Sequence, residues 1–269
     1  MNYSSLIAKQ KSAIALVLKH ATMYRQGIMK EFKIKDSLNS ALNDDNTSSE
    51  EQNNEMLDKW IDKIQNQYWE EQRFYHTLTH VASMLYFYCK NYDLTKLSLN
   101  DEYEYSAAMF CVFHDVVYDP KSKLNELDSI AEFQDFVTQF GSDVTTTDSF
   151  VVECIRDTIK HRKHLDDDSE LSVLNGFLLD CDLAVLAGSF DGVAGLEDEH
   201  SDIYSNYAAG IRREYAHFDD TAYCEGRTAV MKSFLTRDTI YFSEGVRDVY
   251  EETARANILK EIEQLAAKL

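Results

Sequence analysis

Apolar residues recur at helical spacing along most of the chain. In one segment, Leu78, Val81, Leu85 and Tyr88 fall on a single helical face. The same spacing predicts helices over residues 1–35, 56–92 with a break near 73–77, 101–118, 126–140, 149–164, 171–187, 203–218, 222–236 and 244–268. The sequence therefore predicts an all-α fold.

The scarcity of glycine and proline supports the same fold class. The 269 residues include 9 Gly and 1 Pro, whereas β-sandwiches and β-barrels need frequent turns built from these residues. A chain of this length fits one large domain or two small ones, and the sequence shows neither an internal repeat nor a strong domain boundary. We expect a single helical bundle over residues 59–269, preceded by an N-terminal helical extension.

The first 58 residues differ in charge from the remainder. Residues 1–35 hold seven Lys or Arg and a single acid, Glu31, and predict a basic helix that packs on the acidic body. A helix that binds a membrane surface or a partner protein is the alternative. Residues 36–58 hold seven acids, five Asn and no Lys or Arg, a composition typical of a mobile insertion.

The charge and hydropathy of the chain narrow the classes of partner. A formal net charge of −20 argues against a nucleic-acid polymer or an anionic membrane, although a small phosphorylated substrate needs only a local positive cluster. No apolar run reaches the roughly 18–20 residues of a membrane span, and the N-terminus lacks the pattern of a signal peptide. The five cysteines are dispersed, as expected of reduced thiols. We expect a cytoplasmic protein.

Four polar motifs interrupt the predicted apolar helices. They are FYHTLTH with His76 and His80, CVFHDVVYDP with His114 and Asp115, HRKH with His161 and His164, and GFLLDCDLAVLAG with Asp180 and Asp182. Pro120 follows the second motif as the predicted helix stop. An unpaired carboxylate in an apolar interior costs several kcal/mol or gives up its charge. Imidazoles and carboxylates around one divalent cation remove that cost together, and such a cation can activate water.

Each motif taken alone also has a structural explanation. His76 and His80 could be one ligand and one hydrogen-bonding partner, or a helix cap. The aspartates of DCD could form a buried salt-bridge network with Arg212 or Arg227. The order of the motifs, each on a predicted helix, favours a shared metal site over these separate explanations.

The order of His80, His114–Asp115 and Asp182 resembles that of the HD-domain superfamily of metal-dependent phosphohydrolases, which are all-helical proteins. Longer motifs are similar to those of a bacterial group of predicted phosphohydrolases within that superfamily: RFYHTLTHV, FHDVVYD followed by NELDS, TIKH, LDCDLAVLAG, YAAGIRREY and EETARANILKEI. The resemblance extends from Trp60 to the C-terminus, and the first 55 residues lie outside it.

The resemblance implies one divalent metal ion, held by His80, His114, Asp115 and Asp182. Nitrogen and oxygen ligands together leave the metal open among Mn, Mg, Fe, Co, Ni and Zn. Asp180 is the alternative to Asp182, and since the two lie about 200° apart around a helix, they are not expected to bind the same metal. Asp180 would then bind to one of the metal ligands rather than to the metal itself.

Further site residues follow from position and chemistry. Glu126 is a candidate general base, and Asp115 is counted with it among the catalytic residues. Arg73 is a candidate phosphate contact, and His76 would orient a ligand or contact the substrate. His161 is a candidate for binding phosphate or a second metal, with a single metal as the default.

The densest positive run outside the N-terminal segment surrounds His161 and consists of Lys160, Arg162 and Lys163. It is interpreted as a solvated helix end, where positive charge is favourable to the helix dipole. Phosphate binding beside His161 is the alternative.

Together these features predict a hydrolase that cleaves a small phosphate ester, a nucleotide or a related metabolite. A non-catalytic nucleotide or ligand sensor that retains the metal pocket is the alternative, since the N-terminal helix and the acidic insertion lie outside the resemblance. An oxygen-activating site with paired iron is a third hypothesis, which needs further ligands. The Tyr-rich C-terminal helices would cover the pocket or form the face of a homodimer.

Overall fold

A computed structural model describes residues 3–42, 55–98, 100–141, 143–188 and 203–269. Within these ranges the chain forms eleven α-helices and two single-turn 3-10 helices and contains no strand, which confirms the predicted all-α class. The α-helices are α1 Tyr3–Arg25, α2 Ile34–Leu42, α3 Glu55–Gln67, α4 Leu78–Asn91, α5 Asp101–Phe113, α6 Asn125–Phe140, α7 Thr146–Thr158, α8 Glu170–Leu183, α9 Ile203–Glu214, α10 Asp220–Leu235 and α11 Glu244–Ala266. The 3-10 helices, Tyr92–Thr95 and Ala184–Ala187, extend α4 and α8. None of the helices so described is long and apolar enough to cross a membrane.

Three helices form the centre of the bundle. α4 packs on α5 and α8, and α5 also packs on α7 and α8. Every residue of α5 from Glu104 to Phe113 is buried, and α8 is buried continuously from Leu174 to Cys181. A helix that is buried on every side belongs to the interior of a domain. Each of the three central helices has a candidate metal ligand within two residues of one of its ends.

The basic N-terminal segment is part of the core. Val17 and Ala21 of α1 are fully buried, and α1 packs on α2, α4 and α5. The guanidinium of Arg25 pairs with Asp148 of α7, with 2.8 Å between Nη2 and Oδ2. This packing agrees with the predicted contact between a basic helix and the acidic body. The helix ends at Arg25, earlier than predicted, because the chain turns at Gly27, where φ is +70°.

The prediction of a mobile insertion over 36–58 is wrong at both of its ends. α2 occupies the first part, and α3 begins before the segment finishes. Apolar side chains at i, i+4 and i+7 hold α2 to the core: Ile34, Leu38 and Ala41. The polar composition of the segment obscured this short stripe. Residues 43–54, the middle of the predicted insertion, lie outside the described residues.

The turn after α5 departs from the predicted helix over 101–118. α5 ends at Phe113, so Asp115 lies in a turn, and the predicted stop at Pro120 is wrong. The guanidinium of Arg73 donates to the carbonyl oxygens of Asp115 and Val116, both at 2.8 Å. Carbonyl groups beyond a helix end need such partners. The carbonyl oxygens of this turn are therefore bonded by Arg73, a side chain distant in the sequence, rather than by a further helical turn.

His76 and His161 also lie on turns rather than on helices. α4 begins only at Leu78, so His76 falls in the predicted break near 73–77 and does not share a helical face with His80. α7 ends before His161, whose backbone adopts a φ of +45°. Left-handed backbone is uncommon in residues other than glycine and persists where the surrounding structure constrains it. Tertiary contacts therefore place both of these histidines.

Candidate metal centre

His80, His114 and Asp182 converge at the ends of the three central helices. His80 lies in the first turn of α4, His114 directly follows α5, and Asp182 lies in the last turn of α8. The Nε2 atoms of the two histidines are 3.1 Å apart. Asp182 Oδ1 is 3.2 Å from His80 Nε2 and 3.7 Å from His114 Nε2. One ligand atom of each residue lies within 4.8 Å of the other two, so this group, called the metal group below, could hold a metal ion.

The separations of these three atoms fit a small divalent cation. Two ligands at right angles, each about 2.1 Å from a metal, lie about 3.0 Å apart, and a tetrahedral pair lies about 3.4 Å apart. The observed separations of 3.1, 3.2 and 3.7 Å fall close to these values. Imidazole nitrogen combined with carboxylate oxygen suits several divalent metals, and the ligand set does not select among them.

Asp115, the fourth predicted ligand, lies beside the metal group. Its Oδ2 atom is 3.0 Å from His114 Nε2 and 3.9 Å from His80 Nε2. The carboxylate thus faces the same nitrogen atoms as Asp182, although it does not belong to the group of three. Oxygen ligands bind small hard cations either directly or through a water molecule. Asp115 is placed for either kind of contact.

Each histidine of the metal group has a hydrogen-bond partner at Nδ1, the ring nitrogen that does not belong to the group. Tyr75 Oη lies 3.0 Å from His80 Nδ1. The carbonyl oxygen of Cys111 accepts a hydrogen bond from His114 Nδ1 at 3.3 Å. Because a carbonyl can only accept, Nδ1 of His114 carries a hydrogen, and Nε2 is therefore the atom that offers a lone pair to the group when the ring is neutral. Partners of this kind fix the orientation of metal-binding histidines.

His161 reaches the metal group from the turn after α7. Its Nε2 atom is 3.0 Å from Asp182 Oδ2. Arg237, in the turn after α10, donates to the carbonyl oxygens of Lys160 and His161 at 3.1 and 3.0 Å. These bonds hold the left-handed backbone of His161. The structure therefore brings this predicted site residue to a carboxylate of the group.

Glu214, at the end of α9, organises the turn that carries His76. Its Oε1 atom accepts the backbone N–H groups of Phe74, Tyr75 and His76 at 2.8, 2.7 and 3.0 Å. Its Oε2 atom lies 2.7 Å from His76 Nδ1 and accepts the hydroxyl of Tyr118 at 2.9 Å. Burial opposes the ionised form of Glu214, but His76 and the backbone donors outweigh burial and lower the pKa to about 2.

Sequence reasoning missed both Glu214 and Tyr75. A signal for Glu214 was present, since it follows the buried Ile211 by three residues and so falls on the buried face of α9. Gly210 allows the close approach, because a Cβ there would lie 3.1 Å from Tyr75 Cβ and 3.2 Å from the Phe74 carbonyl oxygen. For Tyr75 the sequence carries no signal beyond its position next to His76.

The carboxylates give the site an affinity for positive charge. Burial lowers the pKa of His114, but Asp115 and Asp182 outweigh burial and raise it to about 9. For His80 burial dominates, and the pKa is lowered. Burial alone would raise the pKa of both aspartates, but the adjacent histidines outweigh burial. The pKa of Asp115, beside His114, and the pKa of Asp182, beside His161, both lie below the ordinary range. A site that stabilises an imidazolium between two carboxylates also favours a metal cation.

The metal group borders a cavity of about 750 Å³. Polar residues of its wall include His76, Asp115, Lys123, Glu126 and His161. Aromatic residues of its wall include Tyr75, Tyr118, Tyr207, Tyr215 and Phe234. Glu126, in the first turn of α6, is partly exposed, so the structure places this candidate base on the cavity surface. His76 Nε2 is 3.8 Å from Asp115 Oδ2, so these two residues of the wall are neighbours beside the metal group.

Arg73 has a different role from the predicted phosphate contact. Its side chain is fully buried, and its Nε atom is 3.3 Å from Glu70. Nη1 donates to the carbonyl oxygens of His76 and Asp115 at 3.1 and 2.8 Å, and Nη2 donates to that of Val116 at 2.8 Å. The guanidinium thus ties the turn of His76 to the turn of Asp115, behind the cavity wall.

Asp180 lies outside the metal group, which supports Asp182 as the ligand. The buried carboxylate of Asp180 accepts the backbone N–H groups of Phe242 and Ser243 at 2.7 and 2.8 Å, at the start of α11. Burial raises its pKa to about 7. Neither arginine considered for a salt-bridge network with DCD pairs with these aspartates. The two arginines pair elsewhere, Arg212 with Asp220 and Arg227 with Glu261.

Comparison of the chain with protein-family models, with curated proteins and with solved structures finds no match. Membership of the HD-domain superfamily therefore stays a prediction from the motifs in the sequence. The metal group is an independent observation, since it depends on atomic positions rather than on resemblance.

Proposed function

We propose that this chain is a cytoplasmic, metal-dependent phosphohydrolase with an HD-domain fold, which acts on a small phosphate ester, a nucleotide or a related metabolite. One observation carries the proposal: two histidines and an aspartate from three helices form one group, and a second aspartate lies 3.0 Å from one of the histidines. These four residues are the ones that the resemblance implies as ligands of one divalent cation.

The ligands are His80, His114 and Asp182, with Asp115 beside them. A divalent metal ion held by these residues would polarise a phosphoryl oxygen and make a bound water more acidic. The chain holds the two imidazoles at 3 % and 1 % exposure, so bulk water does not compete for their nitrogen atoms. His161 bonds Asp182 Oδ2, which leaves Oδ1 directed at the two imidazoles.

Other cavity residues supply proton transfer and charge. Glu126 offers a carboxylate to accept a proton from an attacking water molecule. His161 and Lys123 line the same cavity and are suited to stabilise negative charge that develops on phosphoryl oxygens. These assignments divide the chemistry between the metal group, which binds the reacting phosphate, and the wall, which handles protons.

The aromatic wall fits the part of a nucleotide that does not react. Flat bases stack on aromatic side chains, and Tyr75, Tyr118 and Tyr207 all line the cavity. His76 already stacks on Tyr118, with 4.3 Å between ring centroids and 30° between ring planes. Small-molecule pockets measure roughly 300–1,000 Å³, and the volume of about 750 Å³ falls in this range.

The proposal is tested by metal analysis and turnover of the full chain. We expect about one equivalent of divalent metal and hydrolysis of at least one member of a panel of nucleotides and other phosphate esters. His114→Ala should lose both the metal and the turnover. His217→Ala is the matched control, because His217 is exposed and lies outside the cavity wall.

Each other outcome has a definite meaning. If wild type and Asp115→Ala bind equally little metal and neither hydrolyses any ester, the proposal is wrong. Tight nucleotide binding without turnover, across several metals, would support a sensor instead. Two irons per chain would support the oxygen-activating alternative.

A further inference from the structure

A second pocket, of about 620 Å³, lies next to His161. Its wall comes from the turn after α7 and from the end of α10: Lys160, Arg162, Ser233, Thr236, Arg237 and Asp238. Three of these side chains are cationic and one is acidic, which leaves two net positive charges, whereas the whole chain has a formal net charge of −20. Such a local reversal of charge favours a specific anionic ligand.

The three cations form no ion pair with an acid in the part of the chain that the structure describes. Lys160 and Arg162 are exposed, and Arg237 is half-buried. Both terminal nitrogens of Arg237 donate to backbone carbonyl oxygens. Burial and the positive charge of Arg162 both lower the pKa of Arg237. Cations held together without a counterion attract an anion, and arginine binds phosphate through parallel N–H groups.

His161 and Phe234 line the cavity at the metal group and are the chain neighbours of residues that line this pocket. Their ring centroids lie 6.0 Å apart. Lys160 and Arg162, the neighbours of His161 in the chain, line the pocket instead. The guanidinium of Arg237 lies 4.4 Å from the centre of the Phe234 ring. The walls of the cavity and of the pocket are therefore neighbours at His161 and Phe234.

We propose that this pocket is a basic subsite, formed by Lys160, Arg162 and Arg237, that binds a second phosphoryl group of the molecule whose reacting phosphoryl group lies at the metal group. The substrate class is then a small molecule with two separated phosphoryl groups. Ser233 and Thr236 add hydroxyl groups to the wall. The reacting end of this molecule rests on the proposed function, whereas the binding of an anion by the subsite does not.

The test uses inorganic pyrophosphate as the probe and the full chain without metal, in titration calorimetry at low ionic strength. Wild type should bind pyrophosphate saturably, and Lys160→Gln combined with Arg162→Gln should weaken binding by about tenfold or more. Both side chains are exposed, and circular dichroism verifies the fold. Lys260→Gln combined with Lys268→Gln changes the net charge equally at exposed positions of and beyond α11 and should leave the affinity within about twofold.

The subsite is refuted if wild type binds no pyrophosphate, or if both double variants bind it as tightly as wild type. Where turnover is found, the Lys160 and Arg162 double variant should raise KM by about tenfold for a substrate with two separated phosphoryl groups and leave KM for a monophosphate within about twofold. Selective loss of pyrophosphate binding without any turnover would leave the subsite standing and refute the phosphohydrolase. Turnover by wild type, together with pyrophosphate binding that the Lys160 and Arg162 substitutions leave unchanged, would support the phosphohydrolase and refute the subsite.

Discussion

The carboxylate of Glu214 accepts the Nδ1–H of His76 at 2.7 Å, and so connects α9 to a residue 138 positions earlier in the chain. The same carboxylate binds three consecutive backbone N–H groups of the turn before α4. His76 Nε2 consequently faces Asp115, 3.8 Å away. One buried acid thereby orders the turn that borders the metal group.

Glu214→Gln should destabilise the chain and weaken metal binding. Glutamine keeps one acceptor but places an N–H donor in the site, and the expected loss is about 2–4 kcal/mol in the free energy of unfolding. Metal affinity should fall by about tenfold or more, as it does when residues that orient ligands are changed. Urea unfolding and metal titration measure the two effects.

Glu225→Gln, at an exposed position of α10, is the control for Glu214→Gln and should leave both stability and metal affinity unchanged. Since the pKa of Glu214 is lowered in the folded state to about 2 from its ordinary value of 4.5, its stabilisation is complete above pH 4.5 and is lost as the pH falls toward about 2. Equal acid sensitivity of wild type and Glu214→Gln between these values would contradict this role.

Arg73→Lys should lower stability while leaving the net charge unchanged. A single ammonium group cannot reproduce the bonds of Arg73 to three carbonyl oxygens in two turns. We expect a loss of about 2–3 kcal/mol in the free energy of unfolding and weaker metal binding, because Asp115 is displaced. Arg156→Lys, at an exposed site on α7, is the control. If Arg73→Lys changed only KM and left stability intact, a direct phosphate contact would be the better explanation.

Asp180→Asn and Asp182→Asn should separate the two aspartates of the DCD motif. Asp182→Asn should lower metal affinity by well over tenfold, since it removes a charged ligand from the metal group. Asp180→Asn should retain the metal and lose about 1–3 kcal/mol of stability, because an amide accepts poorly from two backbone N–H groups at once. Metal stoichiometry of the two isosteric variants is decisive. Metal loss in Asp180→Asn alone would reverse the assignment.

Glu104 should make stability depend on pH near neutrality. Burial raises the pKa of Glu104 to about 7 from its ordinary value of 4.5, although its carboxylate accepts the backbone N–H of Ile34 at 2.8 Å. The folded state then holds the proton more tightly, so the contribution is complete below pH 4.5 and is lost as the pH rises through about 7. The shift corresponds to about 3 kcal/mol.

Glu104→Gln is neutral at every pH and should remove the part of the decline that Glu104 causes, whereas the part caused by Asp180, whose pKa is also raised to about 7, should remain. Urea unfolding at a series of pH values between about 4.5 and 8 measures the free energy of unfolding. The variant should become more stable relative to wild type as the pH rises. Glu102→Gln, at an exposed position of the same helix, should retain the decline. Parallel curves for wild type and Glu104→Gln would contradict the assignment.

Local sequence pattern was sufficient for the helices and for the order of the candidate ligands. The spacing of apolar residues is a local property, and ten of the eleven described α-helices follow it, with errors mainly at their ends. The exception is α2, which depends on three buried residues in a polar segment. The four polar motifs could be found because polar residues interrupt apolar stretches, whereas the choice of His80, His114 and Asp182 among them came from the family resemblance.

The roles of Arg73, Asp180 and Glu214 were decided only by the tertiary structure. Each of these side chains bonds to backbone groups that lie far away in the chain, and no local pattern encodes such partners. The same holds for His161, whose left-handed backbone is held by Arg237 from another element. The sequence alone determined which elements form and which residues are chemically unusual within them. The fold decided which of these residues meet, because burial requires every polar group to find a partner and only packing brings the partners together.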